Sequence, residues 1–314
     1  RETLDTTLKS IEEIQRITGA ALLGSIFFDP AAVKKPLITG LSPHAPRVES
    51  FRVLRTNLQF LDVDQTSKTY AITSPMPGDG KTTTSINIAL ALAESGSRTI
   101  LIETDLRRPK FGEYLNLEST VGLTTVLIGG AQLADAIQPW GRTGLDVIAS
   151  GVLPPNPAEL LQSKAMAAVL EQLRRDYDAV VIDAPPILPV TDAALIAAQT
   201  GGAILVVRHG KTTRDQAAQA RQRLDSVGTQ VLGTIFNFVP QRASSTYGYG
   251  YGYGYGYAPT TPVSAEVLLP GEPGDAVTSP PVETAQVSAD QPAADAGEDR
   301  RNGQASGSLS RAQT

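Results

Sequence analysis

Apolar residues along the chain fall into two kinds of run that take turns. Short runs rich in Val, Ile and Leu lie at 22–28, 69–74, 99–103, 144–149, 179–183, 202–208 and 230–237; longer stretches of helical period lie near 48–61, 81–95, 163–175, 191–199 and 213–226. A short, wholly apolar run fits a strand buried on both faces, and a helical crossover between two such strands joins them in parallel. The alternation predicts an α/β fold, a mainly parallel sheet with helices on both faces. Upstream, SIEEIQRIT at 10–18 has Ser10 and Glu13 at capping-box spacing and Ile11, Ile14 and Ile17 at helical spacing, so a short helix leads into the first strand. In such sheets ligands bind beyond the carboxyl ends of the strands.

The alternation stops near residue 240. TYGYGYGYGYGYAP follows at 246–259, six tyrosines with glycine between successive members. Glycine at every second position gives a sheet face nothing to pack, so the run predicts a limp arm that exposes its hydroxyls. Residues 258–314 hold eight acids against three arginines and lack aromatic residues, a composition that predicts a disordered tail. The whole chain carries −5, so the body before that tail is charge-balanced, which argues against nucleic acid as a partner. There is no cysteine, which excludes disulfides, thiolate metal sites and cysteine nucleophiles. His44 sits between prolines and His209 between Arg208 and Gly210, placements read as solvated or structural. No apolar run approaches the ~18 residues of a membrane span, and ALLGSIFF at 21–28 is strand-sized.

Chemistry gathers at the predicted strand ends. TYAITSPMPGDGKTTTSINIALALA at 69–93 reads as strand, glycine-rich turn and helix. Gly78 and Gly80 permit a tight loop, Lys81 can reach β and γ phosphates, Thr82 can ligate magnesium, and the helix presents its positive end. This is a Walker A loop with Pro75 where the strict pattern has its first glycine. TILIETDLRRP at 99–109 ends a strand with Glu103 and Asp105, and VVIDAPP at 180–186 ends another with Asp183, in the manner of a Walker B aspartate. Three strand-end acids around a Gly-Lys-Thr turn define a nucleotide–magnesium site, with ATP and magnesium as the cofactors.

At these motifs the chain resembles the bacterial tyrosine kinases of polysaccharide export, the BY-kinases. The resemblance rests on SPMPGDGKTT, ILIETDLRRP, VVIDAPP, SGVLPPNPAELLQS at 150–163, ESFRVLRTNLQF at 49–60 and the tyrosine-rich end, and it covers roughly residues 1–257. It implies a P-loop fold of the deviant-Walker MinD/ParA type and autophosphorylation of Tyr247, Tyr249, Tyr251, Tyr253, Tyr255 and Tyr257. It implies nucleotide contacts from Gly78, Asp79, Gly80, Lys81, Thr82, Thr83 and Asn237, and magnesium held among Thr82, Asp183, Glu103 and Asp105. Lys81, Asp105, Glu103 and Asp183 become the expected catalytic set, with Asp105 the best candidate to take the phenol proton. Glu49, Arg52 and Arg55, spaced at three on a helix, become a subunit interface in a homo-oligomeric ring, octameric by resemblance. A transmembrane polysaccharide co-polymerase segment, fused upstream or separate, is the implied activator, a tyrosine phosphatase a further partner, and the cytoplasmic face of the plasma membrane the implied place. The expected organisation is an N-terminal juxtamembrane-like helix and strand (1–45), a kinase domain (46–240), the tyrosine–glycine cluster (241–257) and the acidic tail (258–314).

Two departures and several alternatives stay open at this stage. The family usually has aspartate where Glu103 stands, and one extra methylene moves the carboxylate by about a bond length; if that misplaces it, Glu103→Asp should speed labelling. Partition and septum-site ATPases carry a signature lysine early in the loop, where this chain has Met76. A nucleotide-switched binding module of that type is the alternative to a kinase. Asn237 equally suits capping a turn, and Glu49, Arg52 and Arg55 equally suit an intrahelical ion-pair set.

Overall fold

The computed structural model describes residues 5–61 and 68–241; the tyrosine–glycine cluster and the acidic tail lie outside them. After α1 (Ile11–Thr18) and β1 (Leu22–Phe27) come a 3₁₀ turn (Pro30–Val33), α2 (Pro46–Gln59), β2 (Lys68–Thr73), α3 (Lys81–Glu94) and β3 (Thr99–Glu103). Four short helices follow, interrupted by two strands: α4 (Phe111–Leu115), α5 (Leu123–Leu127), α6 (Leu133–Ala136), β4 (Gln138–Trp140), β5 (Leu145–Ile148) and α7 (Pro157–Leu161). The chain ends its regular structure with α8 (Lys164–Asp176), β6 (Ala179–Asp183), α9 (Asp192–Thr200), β7 (Ala203–Arg208), α10 (Arg214–Asp225) and β8 (Val231–Val239).

The strands form one sheet in the order β1-β8-β7-β2-β6-β3-β5-β4, parallel except for the β4–β5 pair. Side chains alternate between faces along each strand, and the core divides accordingly. Ile100 and Ile102 of β3 and Val180 and Ile182 of β6 pack on one side with α8, α9 and α10; Leu101 and Val181 pack on the other with α2 and α3. All five residues of β3 and of β6 are buried, which is why both read as continuous apolar runs.

Every long element expected from periodicity is present. What periodicity does not show is β4 and the helices of four or five residues, because fewer than two turns carry no repeat. β4 contains Pro139 and lies at the sheet edge, where a missing ladder donor is tolerated. Within the expected N-terminal segment 1–45, β1 pairs with β8 and so lies in the same sheet, and Leu8 and Ile14 are fully buried in the core. Leu8 donates its amide to Thr212 O at 2.8 Å and accepts from Gly210 N at 2.9 Å. No helix among the described residues is long and apolar enough to cross a membrane.

The loop after β5 is fixed by two glycines that cross at close range. A Cβ on Gly122 would lie 2.4 Å from Ala149 O and Gly151 N, and one on Gly151, whose φ is +82°, would lie 2.4 Å from Thr124 Oγ1. Backbone pairs Leu123 N to Ala149 O and Thr124 N to Ser150 O hold the crossing, and Thr124 Oγ1 donates to Val152 O. Gly122→Ala should cost about 1–3 kcal/mol through forced backbone movement, read as a fall in denaturation midpoint at unchanged denaturant slope.

Candidate active site

The phosphate loop runs from the end of β2 to the start of α3. Gly78 and Gly80 adopt φ of +83° and +95°, conformations that cost a side-chain-bearing residue about 1 kcal/mol or more. Gly80 has a second constraint: a Cβ there would lie 2.2 Å from Asn237 Nδ2. The loop's carbonyls are engaged from outside. Asn237 Nδ2 donates to Asp79 O at 3.0 Å, Arg208 Nη1 to Gly78 O at 2.7 Å and Lys211 Nζ to Pro77 O at 3.3 Å. From within, Asp79 accepts Met76 N at 3.2 Å and Ser74 Oγ donates to Met76 O at 2.9 Å. Asp79 is nearly inaccessible, and burial pushes its carboxyl up against the opposing pull of the Met76 amide and Lys211. At the helix start, the first-turn amides lack intrahelical acceptors and form a ready anion site. Thr83 turns its hydroxyl back onto Gly80 O at 3.0 Å.

Lys81 opens α3 and reaches across to the strand ends. Its Nζ lies 3.0 Å from Asp105 Oδ2, 3.5 Å from Asp183 Oδ2 and 3.1 Å from Thr82 Oγ1. Thr82 Oγ1 donates to Asp183 Oδ2 at 2.8 Å. Burial would lower the lysine's pKa, but the facing Asp183 and Asp105 carboxylates override it and raise it, so the ammonium form is held. Asp183 is fully enclosed; burial raises its carboxyl, with Lys81 and Thr82 pulling the other way. Sheet register produces this meeting: Asp183 pairs with Ile72 near the end of β2 and with Glu103 at the end of β3.

Glu103 does not join that group. Its side chain is completely buried; Oε1 accepts the amides of Phe111, at 2.8 Å, and Lys110, while Oε2 accepts Ser150 N at 3.1 Å. Burial raises its carboxyl in spite of those three donors. The expectation that Glu103 would ligate metal or take a proton beside Asp105 meets a carboxylate already spent on backbone amides.

The donor set fits magnesium and a nucleotide. A threonine hydroxyl and two aspartates are hard oxygen ligands, and magnesium is ordinarily held by one or two carboxylates with phosphate oxygens and water. No three acidic or histidine side chains among the described residues form a metal cage, so phosphates would have to complete the shell.

Several contributors escape the motif reading. Ser85 Oγ lies 3.1 Å from Asp183 Oδ1 and 2.9 Å from Lys81 O; its place four residues after Lys81, on the same helix face, is the signal that could have found it. Arg208 lies 4.1 Å over the Phe238 ring, and Phe238 takes φ +58°, rare for a bulky residue. Neither contact has a local sequence signature. Asn237 braces the loop and accepts Phe238 N at 2.9 Å. Arg107 makes a two-pronged pair with the inaccessible Asp192, at 2.8 and 3.1 Å. On α2, Arg52 pairs with Glu49 at 3.2 Å and Arg55 Nη1 donates to Ala91 O at 3.4 Å, on a half-exposed face. His209 packs on Phe236, ring centroids 5.4 Å apart, and His44 is exposed.

Fold and site together define a P-loop nucleotide-binding protein, and residues 67–219 match the AAA domain family. The chain is 40% identical over 216 residues to the tyrosine-protein kinase YwqD of Bacillus subtilis (strain 168), covering 69% of this chain and 91% of the relative. It is 38% identical over 212 residues to the tyrosine-protein kinase etk of Escherichia coli (strain K12), covering 68% of this chain but 29% of that longer relative. Among solved structures, the kinase domain of Escherichia coli tyrosine kinase ETK superposes with a TM-score of 0.69 at 32% identity, over 78% of this chain and all of that one. The BceF tyrosine kinase domain gives 0.67 at 35%, over 74% of this chain and all of that one. The chain belongs to the bacterial tyrosine kinases and is a protein-tyrosine kinase.

Ser85→Ala should remove one donor from the enclosed Asp183 and destabilise the fold by about 1–3 kcal/mol. Calorimetric titration with ADP should show weaker binding in the presence of magnesium, and an unchanged constant with EDTA.

Proposed function

We propose that this kinase transfers the γ-phosphoryl group of ATP to Tyr247, Tyr249, Tyr251, Tyr253, Tyr255 and Tyr257 of a neighbouring copy in a ring, and so regulates polysaccharide polymerisation or export. The observation that carries the chemistry is the Lys81 ammonium held between Asp105 and Asp183 at the mouth of the phosphate loop. Phosphoryl transfer asks a protein mainly for positioning and charge neutralisation. Magnesium, when bound, supplies positive charge to the transferring phosphate; Thr82 and Asp183 are the residues to hold it. Lys81 and the first-turn amides of α3 bind the phosphates. Asp105 accepts the phenol proton as the tyrosine oxygen bonds phosphorus and ADP departs. A phenol with pKa ~10 needs such an acceptor at neutral pH, and with Glu103 turned onto backbone amides Asp105 is the carboxylate left for it.

The acceptor cluster lies outside the described residues, and its assignment is supported by its composition and by the family resemblance. The half-exposed face of α2 suits the ring contact. Arg52 spends its guanidinium on a surface pair with Glu49, and such pairs contribute only ~0.2–1 kcal/mol, so exchange for a partner across an interface costs little. The resemblance likewise supports an activating segment of a membrane polysaccharide co-polymerase, work at the cytoplasmic face of the bacterial plasma membrane, and reversal by a tyrosine phosphatase. Each phosphotyrosine adds about −1.5 to −2 charges, so a filled arm repels its neighbours and loosens the ring.

Lys81→Met should abolish labelling by γ-labelled ATP. Mixed with active protein truncated before Tyr247, that inactive full-length protein should still acquire label on 247–257; a tail that stays unlabelled in the mixture rules out transfer between copies. Arg52→Ala combined with Arg55→Ala should reduce both assembly mass and labelling rate, with ADP affinity changed less than twofold. Light scattering before and after ATP should show the mass falling as the tyrosines fill, and a constant mass argues against charge-driven disassembly.

A further inference from the structure

We propose that Glu103 is a positioning residue, whose carboxylate fastens the loop bearing Asp105 to the loop after β5 and so holds Asp105 against Lys81 without touching a reacting atom. The inference rests on the assignment of Asp105 as proton acceptor.

Glu103 is the last residue of β3, and Asp105 lies two residues on. The chain then returns to Glu103: Oε1 takes the amides of Lys110 and Phe111, closing the loop 104–110 onto the residue from which it left. Inside that closure Thr104 donates its amide and hydroxyl to Asp183 O at 3.0 and 2.9 Å. Arg107 is anchored on Asp192, and Arg108 N donates to Asp105 Oδ1 at 3.1 Å, orienting the carboxylate whose other oxygen meets Lys81. The second oxygen of Glu103 reaches the other way, to Ser150 N, where the glycine crossing begins. One side chain thus ties three backbone amides in two loops to a strand end. An enclosed carboxylate is tolerable only when it is well hydrogen-bonded, and these donors meet that need.

Length explains why glutamate stands here. Spanning from the end of β3 to both loops uses the full side chain, and aspartate, shorter by about 1.5 Å, cannot satisfy both sides unless the strand end moves. With no solvent exposure, Glu103 also has no free path to a substrate hydroxyl. The usual family preference for aspartate therefore does not transfer: in this chain the position carries a tie between loops.

Purified Glu103→Gln and Glu103→Asp variants separate the roles, because each keeps what the other loses. Gln keeps the length and one acceptor oxygen but can neither take a proton nor ligate magnesium as a carboxylate does; Asp keeps the charge but not the reach. Autophosphorylation kcat, the KM for ATP, and the magnesium-dependent Kd for ADP are measured well below each variant's melting temperature. A positioning role predicts the order wild type, Gln, Asp. Asp should lose on the order of 10- to 100-fold in kcat, the scale of a misplaced catalytic group, Gln on the order of tenfold or less, and KM and Kd should stay within about twofold. The proposal is overturned if Asp equals or exceeds Gln, if either variant weakens magnesium-dependent ADP binding more than about fivefold, or if both match wild type. Should Asp fail to fold, Gln alone decides: activity above about one-tenth supports the tie, and activity as low as that of Lys81→Met sinks it. Asp105→Asn tests the underlying assignment separately, since an Asn variant that keeps full rate removes Asp105 as acceptor whatever the order of the Glu103 variants.

Discussion

The architecture turns on one electrostatic requirement: an enclosed aspartate at the end of a central strand must have a cation beside it. Asp183 is surrounded by protein, and a carboxylate so placed is costly unless charge and hydrogen bonds compensate it. Lys81 supplies the charge, Thr82 and Ser85 lie within hydrogen-bond reach, and all three come from the first turns of α3. The helix must therefore start where β2 stops, and the phosphate loop is the connection short enough to allow it. Buried ion pairs are weak contributors to stability, so this cluster is better explained by chemistry: charges fixed before a nucleotide arrives need little rearrangement when phosphate charge develops.

Around that centre the phosphate loop is held by its carbonyls. Arg208 comes from β7, Asn237 from β8 and Lys211 from the loop between β7 and α10, and together they engage three successive carbonyls of the loop. Gly80 is required twice over, by its left-handed backbone and by the amide of Asn237 that occupies the space a side chain would fill. Met76, where partition ATPases carry a lysine, contributes its backbone to the turn through Asp79 and Ser74. The loop's shape thus depends on β7, next to β2 in the sheet, and on β8 beyond it, both distant along the chain, as much as on its own glycines.

Glu103 shows how a motif position can keep its place and change its work. The carboxylate sits at the expected strand end, in register with Asp183, yet its oxygens face amides of two loops. A side chain one methylene longer reaches different neighbours, and in a packed interior those neighbours decide its role.

The sequence by itself determined the alternation of strands and helices, the phosphate loop, the two strand-end acids that meet Lys81, and the kinase family. These are local patterns: apolar period, glycine at strained turns, and residues a fixed few positions apart. Tertiary structure decided the rest. Glu103 stands beside Asp105 in the expected catalytic set because both close the same apolar run, and only the return of residues 110, 111 and 150 to the end of β3 shows what its carboxylate meets. Asn237 reaches the loop across 158 positions of chain and Arg208 across 130, and no spacing rule links residues so distant. The helices of four or five residues and β4 lie below the length at which a repeat can be seen. A sequence shows which side chains are available, while the partner each one meets is set by how the strands align.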